Sequence, residues 1–216
     1  MAKTISVEVF EYDELDEKAQ ARARDWYREG DREFFSECAG RNVLDDAVRM
    51  FGIMGWTFDT HEVRLMGGGT RRDPSVSWQL GYMQSDGVWI EASYSHAKGS
   101  TRKIREEAPE DKTLHTIADR LLELQKQHGY RLNARVRHND RGPMDLDVES
   151  DARDERARVV GEETYFLMRE IVRDIERWIY DQLRTEDEYQ SSDEVVADNI
   201  RANEYTFRAN GERFDW

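Results

Sequence analysis

Leu132-Asn133-Ala134-Arg135-Val136-Arg137, then Met144-Asp145-Leu146-Asp147-Val148-Glu149 after the turn residues Asn139-Asp140-Arg141-Gly142-Pro143, decides the fold class. Both runs alternate apolar and charged residues, the period of a half-buried strand. Five turn-forming residues between them predict an antiparallel hairpin. One face is apolar. On the other, arginines of the first strand face carboxylates of the second, and such pairs contribute roughly 0.2–1 kcal/mol each. A sheet with one apolar face needs a layer to cover it.

That layer is predicted on both sides of the hairpin. Upstream, Leu114, Ile117, Ala118, Leu121, Leu122 and Gln125 fall at helical spacing from Asp111 to His128, and Gly129 stops the run. Downstream, Met168, Ile171, Val172, Ile175, Trp178 and Ile179 mark a long helix from about Ala152 to Arg184. Ser192 is placed to cap a last helix carrying Val195, Val196 and Ile200, and a short strand and turn follow. Near the start, Ile5, Val7 and Val9 predict a strand, followed by helices over about 13–30 and 31–51. The second helix carries Phe35, Cys38, Ala39, Val43 and Ala47 on its stripe, which predicts a buried, inert Cys38 thiol. In the middle, residues 56–66 and 76–82 alternate as strands. A return strand places Val88, Ile90, Ala92 and Tyr94 on one face and Trp89 on the other. The expectation is a single α+β domain over 1–216. It is an antiparallel sheet of hairpins with several helices packed on one face and an acidic helical C-terminal part from about 152.

Composition bounds the function. The 216 residues carry 46 acidic and 32 basic side chains, a net charge of −14. That argues against direct nucleic-acid binding, which needs a basic face to release counterions. From Met144 to Asn203 there are 18 acidic and 8 basic residues, so most of the excess lies there. No apolar run is long enough to span a membrane, and the N-terminus lacks a signal-peptide pattern, so the expected location is the cytoplasm. One cysteine excludes an internal disulfide framework.

Motifs for chemistry are weak. Gly67-Gly68-Gly69-Thr70 lacks the Lys-Ser/Thr pair of a phosphate loop. His61, His96, His115, His128 and His138 fall in no metal-ligand spacing, so no metal or other cofactor is assigned. A nuclease or hydrolase would need Asp86, Glu91 and His96 to converge near the central hairpin. An exposed Trp89 would instead serve as an anchor for a protein partner.

Several segments carry a resemblance. Phe10-Glu11-Tyr12-Asp13-Glu14-Leu15, Lys18-Ala19, Ala23-Arg24-Asp25-Trp26-Tyr27, the hairpin Tyr82–Tyr94 and Ala202-Asn203-Glu204-Tyr205-Thr206-Phe207 resemble a group of small bacteriophage and prophage accessory proteins, often labelled antitoxin-like. The hairpin departs from the group's pattern, with Met83-Gln84-Ser85-Asp86 where Ser-Gln-Gly-Asp is usual. The resemblance implies a phage protein in the bacterial host cytoplasm. With the acidity, it leads to an expected non-enzymatic inhibitor of a host defence protein that has a basic surface. A CRISPR-type nucleic-acid-guided nuclease complex is one such target, met by imitation of nucleic-acid charge. Asp174, Glu186, Asp187, Glu188, Asp193, Glu194 and Trp89 are the expected contacts. An antitoxin that neutralises a small toxin is the first alternative and a metal-dependent nuclease or hydrolase the second. A homodimer is compatible with all three.

Overall fold

The structure, a computed structural model, describes residues 7–34, 38–81, 86–138, 143–151 and 160–215. In chain order the elements are β1 (Phe10–Glu11), α1 (Glu17–Phe34), α2 (Gly40–Met54), β2 (Trp56–Phe58), β3 (Thr60–Arg64), β4 (Thr70–Pro74), β5 (Val76–Gln79), β6 (Gly87–Ile90), β7 (Ala92–Tyr94), α3 (Ser100–Glu107), α4 (Lys112–Gln127), β8 (Leu132–His138), β9 (Met144–Ser150), α5 (Glu162–Gln190), α6 (Asp193–Ala202) and β10 (Thr206–Phe207). The fold is α+β with small antiparallel sheets. The chain divides into two compact units, one of residues 1–41 with 184–216 and one of residues 42–183.

The larger unit is built on a four-stranded sheet of order β2-β7-β8-β9. The deciding hairpin forms in the expected register, with Asn133 opposite Glu149, Arg135 opposite Asp147 and Arg137 opposite Asp145. Its alternation sends Leu132, Ala134, Val136 and Leu146 into the core, beside Trp56, Phe58, Ala92 and Tyr94 of the other strands. Ala47, Phe51 and Met54 of α2, Ile104 of α3, Leu114, Ile117 and Leu121 of α4, and Met168, Ile171, Ile175 and Leu183 of α5 complete the same core. α2, α3, α4 and α5 therefore contribute to one apolar layer against one face of this sheet.

Polar anchors fix that layer. Asp111 caps α4 by accepting from Leu114 N–H at 2.9 Å, and its second oxygen accepts from Trp178 Nε1 of α5 at 2.7 Å. Gln125 is fully buried and acts as an extra strand residue. Its amide donates to Leu132 O at 2.7 Å and accepts from Leu132 N–H at 3.2 Å. It also donates to Tyr94 Oη at 3.3 Å, and burial pushes the Tyr94 phenol up to about 12.

The smaller unit joins the two ends of the chain. β1 and β10 pair antiparallel, with Phe10 opposite Phe207. Tyr12, Leu15, Ala19 and Ala23 pack with Val196, Ala197, Ile200 and Phe207, and Trp26 stacks edge-on to Tyr205 and Phe207. Arg213 lies over the Tyr205 ring at 4.5 Å. Ser192 caps α6 as expected, by accepting from Val195 N–H. The tail passes so close to α1 that a Cβ on Gly211 would lie 2.1 Å from Ala19 O.

Several expectations need correction. β1 begins at Phe10, and Val7 is exposed and outside any strand. Residues 12–14 form a turn of 3-10 helix, and α1 begins only after Asp16, whose carboxylate accepts from Ala19 N–H at 2.8 Å. α1 runs through Gly30, because one glycine costs a helix only about 1 kcal/mol. Cys38 is exposed, not buried. Cys38 and the buried Ala39 lie in a π-helical turn ahead of α2, whose wider pitch breaks the 3.6-residue spacing of the stripe. α3 was not anticipated, because Ile104 alone is apolar in Ser100–Glu107. α5 continues to Gln190, through Glu186-Asp187-Glu188, where a break was expected. Ile5, Phe35, Tyr82–Ser85, turn residues 139–142 and the helix start at Ala152 lie outside the described residues.

Candidate functional site

Within the larger unit, the sheet face that no described helix covers forms the floor of an open groove of about 1230 Å³. Ser93, Asn133, Arg135, Arg137, Asp147 and Glu149 line it, because the alternation that buries Leu132 and Val136 turns these residues outward. The start of α5 supplies an apolar wall of Val160, Tyr165 and Phe166, and the Phe166 ring is 55% exposed.

The facing charges do not simply neutralise each other. Arg135 turns to Asp59, placing Nη1 2.9 Å from Oδ1 and Nη2 on the other oxygen, and it also donates to Ser93 Oγ. Asp145, Asp147 and Glu149 are exposed and make no ion pair among the described residues. They occupy alternate positions of β9, so their carboxylates repeat about every 6.8 Å along the strand, and Asp147 and Glu149 stand at the edge of the groove.

Next to the groove, three strands meet at a junction. β2 passes into β3 at Asp59, β4 into β5 at Ser75, and β6 into β7 at Glu91. Each of these residues changes partner strand there, since β2 pairs β7, β3 pairs β4 and β5 pairs β6. Three backbone bonds close a ring: Asp59 N–H to Glu91 O at 2.8 Å, Glu91 N–H to Ser75 O at 3.0 Å, and Ser75 N–H to Asp59 O at 2.7 Å. The ring satisfies the groups that leaving the ladders would otherwise orphan.

A smaller pocket of about 390 Å³ opens at this junction, lined by His61, Ser75, Ser77, Trp89, Glu91 and His138. His138 Nε2 lies 2.8 Å from Glu176 Oε1, which also accepts from Ile90 N–H at 3.3 Å. Both side chains are nearly buried, so the pair ties α5 to β6 and β8. Among the described residues no three His, Cys, Asp or Glu are grouped to hold a metal ion.

Both cavities lie within the part of the chain that a family profile recognises: the domain of unknown function DUF8835 matches residues 41–193. The chain belongs to this family. The DUF8835 stretch includes the whole larger unit, with the sheet, groove and junction pocket. Of the segments quoted for the phage-protein resemblance, Phe10–Leu15, Ala23–Tyr27 and Ala202–Phe207 lie outside it, in the smaller unit, and the hairpin Tyr82–Tyr94 lies inside it. No curated protein and no solved structure matches the chain. No helix among the described residues is long and apolar enough to cross a membrane.

The expected contact residues do not form one bare acidic face. Within the DUF8835 stretch, Asp174 pairs with Arg120 and sits 3.7 Å from Arg177. Glu186 accepts from Gln190, and Glu188 accepts from Arg184 at 2.8 Å. Asp187 is exposed on the same helix and also has an interaction partner. Asp193 bridges Arg28 and Arg24, and hydrogen bonding from Arg28 holds its carboxyl below the usual range. Glu194 is exposed. Trp89 is half-buried in the junction pocket, not the exposed anchor expected, although Val88 and Ile90 do face the core.

Asp86, Glu91 and His96 are not gathered in the junction pocket. Glu91 lines it without the other two. His96 stacks on Tyr130 at 4.9 Å, and Asp86 lies beside Gly81. Sequence reasoning missed the groove because it assigned the β9 carboxylates to cross-strand pairing. The signal lay in Tyr165 and Phe166, two aromatic residues just outside the stripe that starts at Met168.

Proposed function

We propose that this protein is a non-enzymatic phage accessory protein that works by binding, and that it inhibits a host defence protein through the groove on this sheet face. The observation that carries the reading is the pair of exposed carboxylates Asp147 and Glu149 in the groove beside the exposed Phe166, with Asp145 continuing the row along β9. Their repeat of about 6.8 Å along β9 suits a surface that normally holds the regularly spaced phosphates of a nucleic-acid strand. The aromatic wall adds a desolvated anchor, which charge alone does not supply. The arginine pairing of Asp174 and Asp193 moves the centre of the proposed contact from the last two helices to β9. Complementary charge speeds encounter and makes the complex sensitive to salt. An antitoxin would use the same surface on a different partner.

The test begins with the tagged full chain on a column and a bacterial host lysate at low salt, followed by salt elution and identification of what is released. The affinity of the released protein is then measured for the native chain and for D145N/D147N/E149Q. The reading expects at least a tenfold loss in the variant, a flatter salt dependence, and competition by a nucleic-acid oligomer. Equal affinity for both chains would refute the groove as the contact.

A further inference from the structure

β3 and β4 form a two-stranded arm that leaves the junction at Asp59 and Ser75, paired from Thr60 opposite Pro74 to Arg64 opposite Thr70. From Thr60 to Thr70 its residues are exposed, apart from half-buried Val63. A two-stranded ribbon with no packed face is marginal in water unless something covers it. Its tip has a defined shape. Gly68 N–H donates to Leu65 O at 3.0 Å, and Leu65 N–H donates to Gly69 O at 3.2 Å. Gly68 and Gly69 take φ of 86° and 92°, which other residues rarely adopt. This turn holds out Leu65, 42% exposed, and Met66, fully exposed.

The charge of the arm is opposite to that of the chain. Thr60 to Pro74 contains three arginines against Glu62 and Asp73, a net of +1 in a protein of net charge −14, and Leu65 to Arg72 carries no acidic residue. Arg64 and Arg72 are exposed, share one face with Glu62 by strand register, and make no ion pair among the described residues. The β9 edge of the groove has the complementary chemistry, Asp147 and Glu149 beside Tyr165 and Phe166, while on β8 Arg135 is held by Asp59 and Arg137 lies opposite Asp145; the lining contains no arm residue. Each chain therefore presents an apolar-tipped basic arm and an acidic groove with an aromatic wall.

We propose that a second copy of this chain fills the groove, so that two chains exchange arms about a two-fold axis. Leu65 and Met66 pack on Tyr165 and Phe166, and Arg64 and Arg72 face Asp147 and Glu149. A two-fold arrangement satisfies both arms and both grooves at once and closes the assembly. This inference rests on the reading that the groove accepts a basic, apolar-tipped segment. It adds that the dimer and the host partner compete for the groove.

The test is the mass of the purified full chain by light scattering at low salt, with no host protein present. A mass of twice 25.5 kDa is expected, falling toward 25.5 kDa as salt rises. R64E/R72E and D147K/E149K should each be monomeric, with dissociation constants at least tenfold weaker and unchanged circular dichroism. Mixed together they should dimerise again, because the acidic arm of R64E/R72E meets the basic groove of D147K/E149K, and the native arm of the second meets the native groove of the first. A native chain that stays at 25.5 kDa at every concentration, a dimer indifferent to both reversals, or a mixture that stays monomeric would each overturn the proposal. Since no host protein takes part, failure here leaves the partner reading standing. An empty lysate column leaves the dimer standing.

Discussion

At the scale of single residues, the smaller unit depends on an absent side chain. Gly211 has φ of 80°, and a Cβ there would fall 2.1 Å from Ala19 O and 2.8 Å from its carbonyl carbon. Both are backbone atoms of α1, so no side chain can rotate away. Gly211→Ala is expected to cost at least about 2 kcal/mol, read as a lower urea midpoint by tryptophan fluorescence, which Trp26 reports from the same cluster. An unchanged midpoint would mean that the tail does not lie against α1. Nothing in the sequence marks this glycine as different from the other thirteen, because the approach is made across 192 positions of chain. Gln125 was more legible: its place on an otherwise apolar stripe put a polar side chain in the core. Cys38 was misread by the same rule, since a stripe predicts burial only while its helical pitch holds.

At the scale of elements, what was legible is what repeats. β8, β9, α4 and the buried face of α5 follow their periods, and each was placed nearly correctly. β2 with β3, and β6 with β7, read as longer strands, because alternation continues through Asp59 and Glu91 while the hydrogen-bond partner changes; β4 (Thr70–Pro74) reads as loop after its glycines and pairs with β3 instead. Helix ends were less legible, since capping depends on a few contacts. The end of α6 has an unusual feature. Glu204 follows the C-cap Asn203 with φ of 52°, where glycine or asparagine is normally preferred. Tyr205 N–H donates to Ile200 O at 3.3 Å, and Glu204 N–H donates to Arg201 O at 3.0 Å, so the surrounding bonds impose the conformation. Glu204→Gly should therefore stabilise the protein by about 1 kcal/mol and raise the melting temperature. A lower melting temperature would show that the Glu204 side chain contributes more than its backbone costs.

At the scale of the whole molecule, a net charge of −14 is partly offset by local pairing. Asp13 accepts from Arg201 at 2.8 Å, and that bond holds its carboxyl below the ordinary value of 3.8. Arg28 and Arg24 act on Asp193 in the same direction. A carboxyl depressed on folding contributes stability that is fully present above its unfolded value of 3.8 and is lost as pH falls through its folded value. Urea midpoints should therefore hold from neutral pH to about 5 and drop below 3.8, and D13N/D193N should flatten that drop. An equally steep drop in the variant would assign it to other carboxyls. The division into two units was not legible, because residues 1–41 and 184–216 come together from opposite ends of the chain with no linker composition between them. The ring at Asp59, Ser75 and Glu91 has a consequence for how this chain can change in evolution. The register of each arm is counted outward from the ring, not inward from its tip. Residues can be gained or lost in pairs at residues 65–69 without altering which side chains face the core at the other end. The tip is thus a place where specificity can vary while the sheet remains the same.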